Sequence, residues 1–422
     1  MSFPIERVRA EFPALALTDG GRPRIYLDNP AGTQVPKRVA EATARALLET
    51  NANLGGYFVT SRQAEQTIED ARERVAQFLG AASSREIIVG PSMTSLTFRL
   101  SRALARRLAP GDEIVVTRMD HDGNISPWLA AAADRGLVVR WLDFDRDSWR
   151  IEPSALDRVL THRTRIVALN YASNLTGSIN DVRTLVERIH AAGALAYVDA
   201  VQFAPHGFID VAHLGCDFLA CSSYKFFGPH MGIVYGRESL LEDLEAYKVR
   251  PATNDLPWRF ELGTPQIELF AALGATIAYY AWLGEELGAQ GDTRAKMRAA
   301  FAASRQWEEQ LARRLIEGLQ HLEGTTIFGI TDPASAADRV PTVSFVHAAI
   351  STDDIAKAMA DRNIFVWSGN NYALELVRTL GLNEEAGVVR IGAAHYNTAA
   401  EIDATLEALE EYVRSRAALS SR

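Results

Sequence analysis

The sequence predicts an α/β protein built on a mostly parallel sheet, followed by a smaller α/β unit. Three observations carry that prediction. From about residue 85 to 236, short apolar runs alternate with helically patterned stretches, which is how βαβ units read. Long helical patterns then fill residues 265 to 320, and a shorter alternation resumes beyond them. At 422 residues, 47% hydrophobic and 23% charged, the chain has a globular composition and exceeds one ordinary core.

Glu86-Ile87-Ile88-Val89 reads as a strand before a helix from Thr94 to Leu108. Glu113-Ile114-Val115-Val116 precedes a helix near Ile125 to Ala133, and Leu137 to Leu142 precedes one near Pro153 to Leu160. Ile166-Val167-Ala168-Leu169 leads to a helix from Asp181 to Ala192, and Leu195 to Val198 follows as a strand. The long helices are interrupted near Gly288 to Asp292. Thr342 to Val346 and Ile364 to Trp367 read as strands around a helix from Asp353 to Arg362. Val388 to Ile391 precedes a C-terminal helix from Ala400 to Arg414.

A formal net charge of −9 argues against nucleic-acid or anionic-membrane partners. No uncharged apolar run reaches the roughly 20 residues of a membrane helix. The first six residues lack a basic region followed by an apolar stretch, so a cytoplasmic enzyme is expected. The only cysteines, Cys216 and Cys221, lie in a segment that reads as a strand, where their odd spacing predicts opposite faces. Neither a disulfide nor a metal site is expected.

Lys225 is the most informative residue. Only five of the 44 cationic side chains are lysines, and this one stands in Ser223-Tyr224-Lys225-Phe226-Phe227 with no acid nearby in sequence. Arginine stays protonated, whereas a desolvated lysine loses its proton readily and can form an imine. Upstream, Val198-Asp199-Ala200-Val201-Gln202 ends an apolar run in an acid. A lysine and an aspartate together are what a pyridoxal phosphate (PLP) site requires, the lysine for the aldehyde and the carboxylate for the ring nitrogen. Alone, Asp199 reads as readily as a helix cap, Gln202 as a loop residue, Asn174 as a turn residue before Gly177, and His121 as a surface histidine. Gly90-Pro91-Ser92-Met93-Thr94 lies between a strand and a helix, where free N–H groups suit a phosphate, although Ser and Thr also cap helices that bind nothing. Ligands in open α/β sheets sit at the carboxyl ends of strands, and these segments cluster there.

With those motifs, and with Val389-Arg390 followed by Tyr396-Asn397-Thr398, the chain resembles a class-V aminotransferase of PLP fold type I, specifically a cysteine-desulfurase-like protein, from about Tyr26-Leu27-Asp28-Asn29 to Thr398. The resemblance implies an N-terminal arm (1–25) packing with the small domain, a large PLP-binding domain (26–290) with a seven-stranded sheet, and a small C-terminal domain (291–422). It implies that Lys225 holds the cofactor as an imine, Asp199 pairs with the ring nitrogen, His121 stacks on the ring, and Gln202 and Asn174 approach the ring oxygen. Ser222, with Ser92, Met93 and Thr94, would bind the phosphate, and Tyr224 would lie against the cofactor. Thr264 would reach the phosphate of the partner subunit, implying a homodimer. Arg390 would grip the carboxylate of a small amino-acid substrate, the bidentate fork being the reason for arginine, with Asn29 beside it.

Two departures from the desulfurase pattern stand out. Tyr224 replaces the histidine that usually precedes the lysine, and its phenol is expected to hydrogen-bond nearby. Tyr372 occupies the loop position where the resemblance places the nucleophilic cysteine, while Cys221, four residues before Lys225, is expected to be buried. Persulfide formation needs a mobile thiolate. The implied reaction therefore begins with an external aldimine and loss of the Cα proton to Lys225, and the preferred outcome is a C–S or β-elimination lyase. An aminotransferase, an epimerase, a decarboxylation or aldol reaction, a desulfurase using another thiol and a catalytically silent binding protein remain open.

Overall fold

The computed structural model describes residues 3–420. Seven strands form the main sheet: β1 (Ile87–Gly90), β2 (Glu113–Thr117), β3 (Val138–Leu142), β4 (Thr164–Asn170), β5 (Leu195–Asp199), β6 (Phe218–Ser222) and β7 (Gly232–Gly236). Their order is β1-β7-β6-β5-β4-β2-β3. β7 runs antiparallel to both neighbours, and the remaining pairs are parallel. Runs such as Ile114-Val115-Val116 are fully buried, as expected of strands covered on both faces. The helices α1 (Lys37–Glu49), α2 (Val59–Leu79), α3 (Met93–Ala105), α4 (Ser126–Arg135) and α5 (Ile267–Glu286) supply much of that cover.

α6 (Thr293–His321) leads into a four-stranded antiparallel sheet of β8 (Thr325–Phe328), β9 (Thr342–His347), β10 (Trp367–Gly369) and β11 (Val388–Gly392), in the order β8-β9-β11-β10. α6 and the final helix, α7 (Ala399–Ser420), pack on it through Leu311, Leu315, Ile402 and Leu409. The N-terminal segment touches both regions. Phe3 stacks on Trp307, Arg9 reaches Tyr396 O and Glu401, and Phe12 packs edge-on against Phe227 and Tyr279.

Several sequence expectations change here. β7 and β8 were not individually legible, and neither were α1 and α2. The run Ile364 to Trp367 is not one strand: Ile364–Phe365 pairs with Ile25–Tyr26, while Trp367 begins β10 in another sheet. Cys216 and Cys221 do not face opposite ways, because β6 begins only at Phe218 and both thiols lie in the same hydrophobic cluster. α5 is long and apolar enough to cross a membrane by length and composition, which the sequence reading did not foresee. Most of it is buried against α1, α2 and α6, the setting of a core helix.

A buried ion pair ties α2 to β1 and to the segment bearing Thr264. Arg72, 3% exposed, donates through Nη1 to Glu261 Oε1 (2.6 Å) and Ile87 O (2.8 Å), and through Nη2 to Glu261 Oε2 (3.1 Å). Glu261 Oε1 also accepts from Val89 N at 2.8 Å. Removing one partner of such a pair strands the other charge. Arg72→Met is therefore expected to cost about 3–5 kcal/mol in denaturant unfolding, and a loss under about 1 kcal/mol would show the pair to be dispensable.

Candidate active site

A cavity of about 860 Å³ opens at the carboxyl ends of the main-sheet strands. Asn170, Asp199 and Ser222 are the last residues of β4, β5 and β6, and all three line it. Such termini lie in the crevice where open α/β sheets bind ligands. The small sheet contributes Trp367 and Arg390, and the loop after β10 contributes Asn371 and Tyr372.

Lys225 ends the short turn after β6. Its Nζ donates to Ala31 O at 2.9 Å and to Pro30 O, and stands 4.9 Å from the Tyr224 ring centroid. Carbonyls and a ring face do not replace the hydration of an ammonium. Burial, reinforced by the nearby Arg390 charge, lowers the Lys225 pKa to about 7. Asp199 is also buried, and its Oδ1 accepts from Val201 N at 2.8 Å. Burial raises its pKa to about 6, partly offset by that N–H and by Lys225.

Asp120 lies behind this pair, fully buried between Thr117 Oγ1 and Asn124 Nδ2 (2.7 Å). Burial first, then the Asp199 charge, raises its pKa well above the carboxylate range. Two neighbouring carboxylates in a low dielectric do not both ionise readily. His121 follows, with Nδ1 accepting from Gly123 N at 2.9 Å. That bond places the ring proton on Nε2, and burial together with Lys225 and Arg390 lowers the imidazole pKa to about 3. A neutral ring therefore faces the cavity. The Tyr372 ring stacks on it at 5.4 Å and 26°.

Arg390 reaches the cavity from β11. Nη1 donates to Asn174 O (3.2 Å), Nη2 stands 3.4 Å from Asp28 Oδ1, and Nε is buried without a hydrogen bond. Asn174 Nδ2 donates to Asn371 O (2.8 Å), leaving its buried Oδ1 free of partners. Gln202 Nε2 donates to Thr342 Oγ1 (2.9 Å) from the cavity wall. Met93 and Thr94 line the cavity at the start of α3, while Ser92 caps that helix by accepting from Ser95 N (3.1 Å).

Lys225, Asp199, His121, Gln202, Asn174, Ser222, Tyr224, Met93, Thr94 and Arg390 are thus brought to one cavity. Asn29 is not. Its Nδ2 donates to Gly392 O (2.8 Å), Asn397 Oδ1 and Tyr26 O, and its Oδ1 accepts from the Tyr396 hydroxyl. The side chain is saturated by the scaffold, which corrects the expectation that it meets substrate. Thr264 is exposed and does not line the cavity of its own protomer. The Tyr224 hydroxyl makes no hydrogen bond among the described residues. Its ring instead stacks on His230 at 4.8 Å and 5°. Sequence reasoning missed Asp28 as the Arg390 partner, Asp120 as the second acid, and Trp367 as part of the cavity wall. Asp28 stood inside a quoted motif, but nothing in the sequence links it to Arg390, 362 positions away.

Neither cysteine lines the cavity. Burial raises the Cys216 thiol to about 12 and pushes Cys221 higher still.

Residues 25–405 match the family model for class-V aminotransferases. An aminotransferase-like protein of Gibberella zeae is 35% identical over 419 residues, covering 97% of this chain and 98% of the relative. A cysteine desulfurase of Pectobacterium carotovorum is 31% identical over 98% of this chain and 99% of its own. The apo structure of a cysteine desulfurase from Thermococcus onnurineus superposes with a TM-score of 0.87 at 29% identity, over 98% of this chain and 99% of that one. The fold, the cavity at the strand ends and these similarities together place the chain in the class-V aminotransferase family, a family of PLP-dependent enzymes.

Proposed function

We propose that the protein binds PLP and acts as a lyase on an amino acid, eliminating a substituent from Cβ without a cysteine nucleophile. The observation that carries the reading is the absence of any thiol from the cavity wall, where Tyr372 stands in the loop after β10. The residues fit the cofactor. Asp199 is a buried carboxylate with no cation within hydrogen-bond reach, the partner a ring N–H seeks, and Lys225 is the one lysine in the cavity. His121 would lie against the ring, Gln202 and Asn174 beside its oxygen, and Ser222, Met93 and Thr94 at the phosphate, with Ser92 ordering the helix start. The family resemblance assigns a further phosphate contact to Thr264 of a second subunit.

When bound, PLP acts as an electron sink for the pair left at Cα. Arg390 orients the substrate by its carboxylate. Lys225 Nζ, neutral above pH about 7, accepts the Cα proton. Asp199 holds its charge opposite the ring nitrogen, and the hydrophobic residues flanking β5 and β6 keep water from it. The departing group leaves from Cβ, so the step asks no side chain for a covalent bond. The similarity to the aminotransferase-like protein supports a second reading, amine transfer, in which Lys225 would carry the proton.

Three outcomes test this. Purified protein incubated with PLP should turn yellow and bleach with borohydride, and Lys225→Ala should lose the borohydride-trapped adduct. Only the neutral amine is nucleophilic, so the rate of adduct formation by apo protein should rise through pH about 7 and level off above it. A rise centred near 10 would refute the depressed lysine pKa. In a panel of amino acids, pyruvate or another keto acid should form without an added amine acceptor, with turnover unchanged in Cys221→Ala. Sulfide that depends on added thiol and vanishes in Cys221→Ala would instead establish a desulfurase.

A further inference from the structure

We infer that the outer half of the cavity selects an amino acid whose side chain ends in a cation, an ammonium or a guanidinium. This rests on the amino-acid-binding reading above and names its substrate class. The inner cations are already engaged: Arg390 faces Asp28, and Lys225 Nζ donates to the Pro30 and Ala31 carbonyls. At the mouth the balance reverses. Asp122 and Glu385 both line the cavity, and among the described residues no cation pairs with either. Asp122 Oδ2 accepts only from Ser126 Oγ (2.5 Å), and the Glu385 carboxylate has no partner.

Asn371 adds an independent sign. It lines the same wall, is 8% exposed, and its side-chain Oδ1 is buried without a hydrogen-bond donor. A buried acceptor without a donor is costly, and Asn371 carries this one within the cavity wall. Two aromatic rings complete the set, Trp367 at 55% and Tyr372 at 71% exposure. Asn371 and Tyr372 hold consecutive left-handed conformations (φ 53° and 56°), rare for residues with side chains. Asp122 N, donating to Tyr372 O at 2.6 Å, and the Asn174 amide on Asn371 O pin that loop. A rigid rim of acceptors, carboxylates and ring faces favours a cation. It repels an anionic side chain and gains nothing from a small neutral one.

The test is calorimetric titration of PLP-loaded, full-length Lys225→Ala protein, in which turnover is blocked, with L-arginine, L-lysine, L-citrulline, L-norleucine and L-glutamate. L-arginine or L-lysine should bind about tenfold more tightly than its neutral counterpart, the combined effect of one exposed ion pair and one cation–π contact. Asp122→Asn and Glu385→Gln should each bring that ratio towards one, and Glu385→Arg should shift preference to L-glutamate. Thermal shifts of the PLP-loaded wild-type protein with the same amino acids serve if the lysine variant does not load. Equal affinities for charged and neutral counterparts, or binding of none by PLP-loaded protein, overturn the inference. Failure of the wild-type protein to take up PLP overturns the reading of the site instead.

Discussion

Desolvation of Lys225 is the constraint on which the rest of the site depends. An ammonium removed from water needs an anion or loses its proton, and here Nζ has two backbone carbonyls and a second cation nearby. The carboxylates in the neighbourhood are themselves buried and only partly offset that cost. The result is an amine neutral close to physiological pH, which an arginine in the same place could not become. The same scarcity of water leaves Asp199 looking for a proton donor and keeps His121 uncharged. Three groups of different chemistry are thus tuned by one shared property of the crevice.

The sheet does the placing. Because β4, β5 and β6 run parallel, their carboxyl ends come out on one edge, and Asn170, Asp199 and Ser222 arrive there together. β7 closes the arrangement from the opposite direction, and it can do so because position 232 is glycine. A Cβ there would stand 2.1 Å from Met93 N, so any side chain would push the start of α3 out of the cavity wall. The small sheet brings Arg390 to the cavity by register. Arg390 sits opposite Ser344 and Trp367, while Val389 and Ile391 turn the other way into the core. A slip of one residue would bury the guanidinium in that core.

Much of this was legible in the sequence, for identifiable reasons. Strands buried on both faces are short and aliphatic, so β1, β2, β4 and β5 could be read directly. Lys225 stood out by residue type in an arginine-rich chain, and Asp199 by ending a hydrophobic run. β7 escaped because its ends are glycines, which interrupt the apolar pattern of a buried strand. Asn29 misled because a motif tells which residues travel together, not which atoms are free. Its amide is saturated by Tyr26, Gly392 and Asn397. The Cys216–Cys221 alternation failed since period two holds only within a strand, and β6 starts between them. The Asp28–Arg390 and Asp120–Asp199 pairings are products of tertiary folding that no local pattern encodes.

The Asp28–Arg390 contact explains how a buried guanidinium is tolerated in the cavity wall. A fully buried guanidinium with nothing opposite it is destabilising by several kcal/mol. At 3.4 Å and through one nitrogen only, Asp28 supplies an intermediate partner. Burial holds its own pKa above the usual carboxylate range even with Arg390 alongside, so its grip on the arginine is weakened by its own desolvation. Nε remains unpaired, aimed at no protein acceptor. Asp28 is held beside Arg390 because its backbone bridges to Gly392, two residues beyond that arginine.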